Sequence, residues 1–144
     1  MRDPKTKAAE ALSPMLSSFN RITQQRLDSV WETRNEGSLE RLILMFGPTV
    51  FAITADADDD SIDFVVSESF NFHSAANNEV SQTEVWKGFI GKPFGWGWIT
   101  INQQGYCDGL LLSFEGIHPE LLMNVVASSI KICLISAVKI SVVR

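Results

Sequence analysis

Apolar and polar residues change rhythm several times along this chain. From Arg26 onward, Leu27, Ser29, Trp31 and Thr33 alternate with Asp28, Val30, Glu32 and Arg34, the period of two that marks a strand. Asn35-Glu36-Gly37 supplies a turn, and Leu39–Phe46 runs apolar after it, so the two runs predict a hairpin. Gly47-Pro48 breaks the chain, and the β-branched and aromatic run Thr49–Ala55 predicts a third strand. Asp56–Ser61 reads as a turn and Ile62–Val66 as a fourth strand, which together predict an antiparallel meander.

Residues Ser67–Thr83 are polar and read as a loop, and Glu84–Ile90 as a short helix stopped by Gly91-Lys92-Pro93. A second hairpin is expected from Phe94–Ile101 and Tyr106–Phe114 around Asn102-Gln103-Gln104-Gly105. His118-Pro119 then opens a predicted C-terminal helix, because Leu121, Leu122, Val125, Val126, Ser129 and Ile130 fall on one helical face. A closing strand is expected where Ile132, Leu134, Ser136, Val138, Ile140 and Val142 alternate with their neighbours. Residues 1–22 read as an N-terminal tail or loose helix, interrupted at Pro14. The expected fold class is α+β. Residues 23–144 form a single domain, a mainly antiparallel curved sheet of two hairpin groups packed against the C-terminal helix.

Composition adds little to that picture. With 144 residues, 45% hydrophobic and 20% charged, the chain has the make-up of one ordinary globular domain. Cys107 and Cys133 lie far apart in apolar segments, outside any Cys-x-x-Cys spacing, and read as buried free thiols of a reducing, cytoplasmic compartment. The start of the chain lacks the apolar core of a signal peptide. Leu121–Val138 is nearly long enough to span a bilayer, but Lys131 near its middle would cost about 2.5–3.5 kcal/mol on insertion, so no membrane partner is expected.

Charge changes the picture more. The net charge is only −5, yet no Lys or Arg occurs between Arg41 and Lys87, while eight acidic residues do. Such a block repels phosphate backbones, which argues against a nucleic-acid partner and for a cation or a basic protein. Within it, Asp56-Ala57-Asp58-Asp59-Asp60 sets carboxylates at alternate positions of a turn. Calcium takes six to eight oxygens, and alternate acidic positions in a tight turn can aim several at one point. An EF-hand is excluded, since Ser61 stands where the bend needs Gly and Ser67 where the bidentate Glu belongs. A solvated turn, for which Asp is equally suited, is the competing reading. Asp108, beside the second hairpin turn, is a further candidate ligand if the hairpins lie side by side.

Phe94, Trp96 and Trp98 alternate with Gly95 and Gly97, which predicts one aromatic face and one bare face with something pressed against the glycines. Neither His73 nor His118 has a nucleophile or ligand at a diagnostic spacing, and no phosphate-cradling loop is present, so no catalytic residue is assigned and no enzyme is expected.

Taken together, the acidic turn, Gly91-Lys92-Pro93, Trp96-Gly97-Trp98 and Asn102-Gln103-Gln104-Gly105-Tyr106-Cys107-Asp108-Gly109 resemble the small cyanobacterial calcium-binding proteins linked to heterocyst differentiation, over about residues 24–143. That resemblance implies a compact calcium buffer or sensor without an EF-hand, acting in signalling. Carried over by position, it makes Asp56, Asp58, Asp59 and Asp60 the main Ca2+ ligands, with Asp108 beside them. The alternative is a small acidic interaction module of immunity or regulatory type, holding no metal and facing a basic protein partner.

Overall fold

The computed structural model describes residues 4–69, 72–73 and 77–135. Helix α1 (Pro4–Ile22) is followed by β1 (Ser29–Asn35), β2 (Ser38–Phe46), β3 (Thr49–Asp56), β4 (Ser61–Glu68), the two-residue β5 (Asn78–Glu79), β6 (Phe94–Ile101), β7 (Cys107–Phe114), β8 (Leu121–Val126) and β9 (Ser129–Leu134). They make two antiparallel sheets in the orders β4-β3-β2-β1-β5 and β6-β7-β8-β9. The expected four-stranded meander is β1–β4 of the first sheet, with Leu42 opposite Ile53 and Ile53 opposite Phe64.

The expected C-terminal helix is absent, and the α+β assignment falls with it: the described chain is mostly β. Leu121–Val126 and Ser129–Leu134 form the β8–β9 hairpin, with Met123 opposite Ile132 and Val125 opposite Ile130. The physical reason is that the same residues satisfy two periods. Leu121, Met123 and Val125 are buried in alternation, the period of a strand, while Leu122 and Asn124 are half-buried. The β-branched Val125, Val126 and Ile130 favour the pleated form. Ala127 and Ser128 close the hairpin with φ of 51° and 66°, the left-handed geometry that tight hairpin turns need. The closing strand begins at Ser129 rather than Ile132, and its expected continuation through Ser136, Val138, Ile140 and Val142 lies outside the described residues.

Instead of one curved sheet covered by a helix, two sheets share one core. Phe46 of the first sheet meets Phe94 and Phe114 of the second at ring-centroid separations of 6.0 and 6.4 Å. Along one side β9 lies against β2, where the Leu39 N–H donates to Ser129 Oγ at 3.1 Å. Helix α1 lies against β4 and β6. Its Met15, Phe19 and Ile22 are buried, one to two turns apart on a single face. The segment read as a tail or loose helix therefore contributes to the core, with Pro14 inside the helix. The short helix expected over Glu84–Ile90 is a run of turns, in which Trp86 and Phe89 reach the core.

On β6 a register shift between Phe94 and Trp96 breaks the expected aromatic face. Phe94 is fully buried, whereas Trp96 is 54% exposed on the opposite side of the sheet. Gly97 does carry a neighbour: a Cβ there would stand 2.4 Å from the Phe19 ring. Among the described residues no helix is long and apolar enough to cross a membrane.

Candidate functional site

An antiparallel meander returns its alternate turns to the same end. In the first sheet the β1–β2 turn and the acidic β3–β4 turn therefore share an end, and the β8–β9 turn of the second sheet joins them. Asn35, Glu36, Ser38 and Glu40 on one side, Thr54, Ala55 and Ala57 on another, and Ser128 on the third line an open cleft of about 420 Å3. No Lys or Arg is among these lining residues.

The acidic turn is organised by its own hydrogen bonds. Asp56 Oδ1 accepts from the Asp58 N–H at 2.9 Å, and Asp59 Oδ1 accepts from the Ser61 N–H at 3.0 Å. Both are local side-chain-to-backbone contacts of the kind that make Asp a turn former. Asp60 takes a left-handed φ of 52° and reaches across to the second sheet. Its Oδ1 accepts from the Ser128 N–H at 2.7 Å, while Ser128 Oγ donates to the Ala57 carbonyl at 3.3 Å. The β3–β4 turn is thereby clasped to the β8–β9 turn. Asp58 is exposed at the apex.

Asp108 belongs to the β6–β7 hairpin of the second sheet. Its Oδ1 accepts from Thr100 Oγ1 at 2.9 Å, a bond across the two strands. The four turn aspartates thus sit together in one segment and Asp108 in another. Among the described residues, no group of three or more His, Cys, Asp or Glu side chains is placed to hold a metal ion. Asp56 and Asp59 each use Oδ1 in a turn bond, and Asp60 uses Oδ1 in the clasp.

The cysteines differ from each other. Cys107 is buried and free; burial pushes its thiol up to about 11 from an ordinary 9.0, opposed by a backbone hydrogen bond with Gly109 and reinforced by the nearby Asp108 and Asp63 charges. Cys133, expected to be buried, is exposed, because β9 turns Ile130 and Ile132 inward and their neighbours Lys131 and Cys133 outward. Glu36, Glu40 and Ser128 were not singled out from the sequence. The signal for the two glutamates was the meander itself, which places the Asn35-Glu36-Gly37 turn at the same end as Asp56–Asp60. Ser128 carries no signal in the sequence, because Leu121–Ile130 also fits one face of a helix.

No curated protein and no solved structure matches the chain. Nothing in these comparisons links it to the calcium-binding proteins that its Asn102–Gly109 segment resembles. Residues 14–139 match a family model across most of the chain, and the protein belongs to that family, DUF6334, a family of unknown function.

Proposed function

We propose that this chain is a non-catalytic interaction module of the cytoplasm whose acidic end docks a basic protein segment. The observation that supports this reading most is the cleft formed by three hairpin turns, edged by Glu36 and Glu40 with Asp58 at the neighbouring apex and no basic residue in its lining. Carboxylates spread over separate turns act as a field rather than as a cage. Such a field steers an oppositely charged partner and fixes its register, at the cost of strong salt dependence. Chelation needs the opposite arrangement, several oxygens converging at about 2.3–2.6 Å on one point. The calcium reading keeps the support of the alternate Asp spacing. It has less support from the placement of the side chains, since among the described residues no group of three or more His, Cys, Asp or Glu is placed to hold one ion.

Titration of a fluorescently labelled lysine-rich peptide into the full chain tests the proposal. Binding is expected at low salt, weakening at least tenfold as ionic strength rises to physiological values and the screening length falls to about 8 Å. The double variant Glu36→Gln, Glu40→Gln is expected to weaken it by a further tenfold. Binding that ignores both salt and the double variant overturns the proposal, as does no binding at low salt. A saturable calcium heat in the micromolar range would favour the buffer reading instead.

A further inference from the structure

The second sheet has an outer face that the described residues leave open. Its composition follows from the register. Ile99, Leu110, Met123 and Ile132 lie opposite one another and belong to the core or pack against it. The neighbouring row, Trp98–Leu111–Leu122–Cys133, must therefore face outward. Its members are half-buried or exposed, and Trp96 on the same side of β6 is 54% exposed. Four strands thus carry a continuous, partly exposed apolar row, with Trp96 beside it, of a kind that often marks a contact surface.

The next row of this face is polar and has opposite signs at its two edges. Thr100, Gly109, Asn124 and Lys131 are paired across it. Asp108 is held at the β6–β7 edge by the Thr100 hydroxyl, and Lys131 is exposed at the β9 edge. A twofold axis running along the strands between β7 and β8 exchanges the two edges. It sets Thr100 of one copy, whose hydroxyl holds the Asp108 carboxylate, over Lys131 of the other, twice, and Leu111 over Leu122. It also sets the large Trp98 over the small Cys133. Bulk meets space and negative meets positive in the same operation, as an isologous interface requires.

We propose that this face is the contact surface of a symmetric homodimer, in which two copies stack their second sheets face to face with strands nearly aligned. The inference stands apart from the acidic end and does not depend on it. A four-stranded face with eight-residue strands such as β6 and β7, at about 3.4 Å per residue and about 4.8 Å between strands, covers roughly 500 Å2 per copy. The total of about 1,000 Å2 lies at the lower limit for specific association, so the dimer is reversible, with a dissociation constant in the micromolar range.

Sedimentation velocity of the full chain over about 1–300 µM tests it. The expected result is a shift from monomer to dimer mass across that range. Lys131→Glu places like charges over each other and is expected to weaken association at least tenfold. Asp108→Lys combined with Lys131→Glu reverses both signs and is expected to restore it. Trp96→Ala, a change at a half-exposed site, is expected to weaken association without altering the circular dichroism spectrum. A chain that stays monomeric throughout overturns the proposal, because its face is then used by something else. A dimer indifferent to Lys131→Glu and to Trp96→Ala also overturns it, since it then uses another surface.

Discussion

The two sheets share a core but treat their outer faces differently. The first sheet carries a small apolar cluster outside, Ile43, Val50 and Ala52 with Trp31 and Met45 beside them, and the segment after β4 folds back over it. Phe72 from that segment meets Trp31 at 5.3 Å, and Thr33 Oγ1 is hydrogen-bonded to Asn77 Oδ1. Among the described residues the second sheet's outer face is covered at Ser113, which lies under Gly116, but not along the row beyond it, although that face carries two tryptophans and two leucines. Among the described residues, the chain's own loop shields one apolar face and leaves the other largely uncovered. That difference is the physical basis for expecting self-association through the second sheet.

Substitutions on the two sides of β6 should break the comparison most sharply. Gly97→Ala places a Cβ against the Phe19 ring on the inner side, and overpacking of this kind costs about 3 kcal/mol in urea denaturation. On the covered outer face of the first sheet, Trp31→Ala removes the ring under Phe72 and should cost about 2 kcal/mol. Trp96→Ala on the open face should change monomer stability by less than about 0.5 kcal/mol when measured at dilute concentration. Comparable losses for Trp31→Ala and Trp96→Ala would mean that both faces are covered alike.

The acidic turn offers a finer contrast within five residues. Asp60→Ala removes the clasp to Ser128 and leaves an alanine in a left-handed conformation, for an expected loss of about 1–2 kcal/mol. Asp58→Ala, at the exposed apex, should lie within about 0.5 kcal/mol of the parent. Equal effects would mean that the clasp contributes nothing.

The smallest expected effect is alkaline. The Cys107 thiol is pushed up to about 11 in the folded chain and returns to 9.0 on unfolding, so the unfolded state releases its proton first. Its contribution is fully present below pH 9 and is lost as pH rises towards 11. The decline in melting temperature over that window should shrink in Cys107→Ala and persist in Cys133→Ala, since the Cys133 thiol is exposed.

Much of the first sheet was legible because its signals are local: alternation in Leu27–Arg34, the Asn35-Glu36-Gly37 turn, the Gly47-Pro48 break and the acidic turn. The bare face of β6 was also legible as a packing surface, though not its partner, because Phe19 lies 78 positions before Gly97. The β8–β9 hairpin was not legible. Leu121, Leu122, Val125, Val126, Ser129 and Ile130 fit a helical face and a strand pair equally well, and Ala127-Ser128 takes positive φ without the Gly or Asn that announces such a turn. Only the pairing of β8 with β7 decides between them, and that contact is tertiary. The candidate site was half legible for the same reason. The acidic turn stood out in sequence, whereas Glu36, Glu40 and Ser128 join it only through topology.

Thermal melting at pH 7 with and without calcium tests the central claim most directly, namely that the acidic turn is a clasp and a charged docking surface rather than a metal cage. A cation bound only by the folded chain would stabilise it by about 2.7 kcal/mol at a hundredfold excess over its dissociation constant, raising the midpoint by several degrees in a domain of this size. With millimolar calcium matched for ionic strength against sodium, we expect the two midpoints to agree within about 1 °C, both in the parent and in Asp58→Ala. A calcium-specific rise of several degrees in the parent that Asp58→Ala abolishes would contradict the account and return the turn to metal binding.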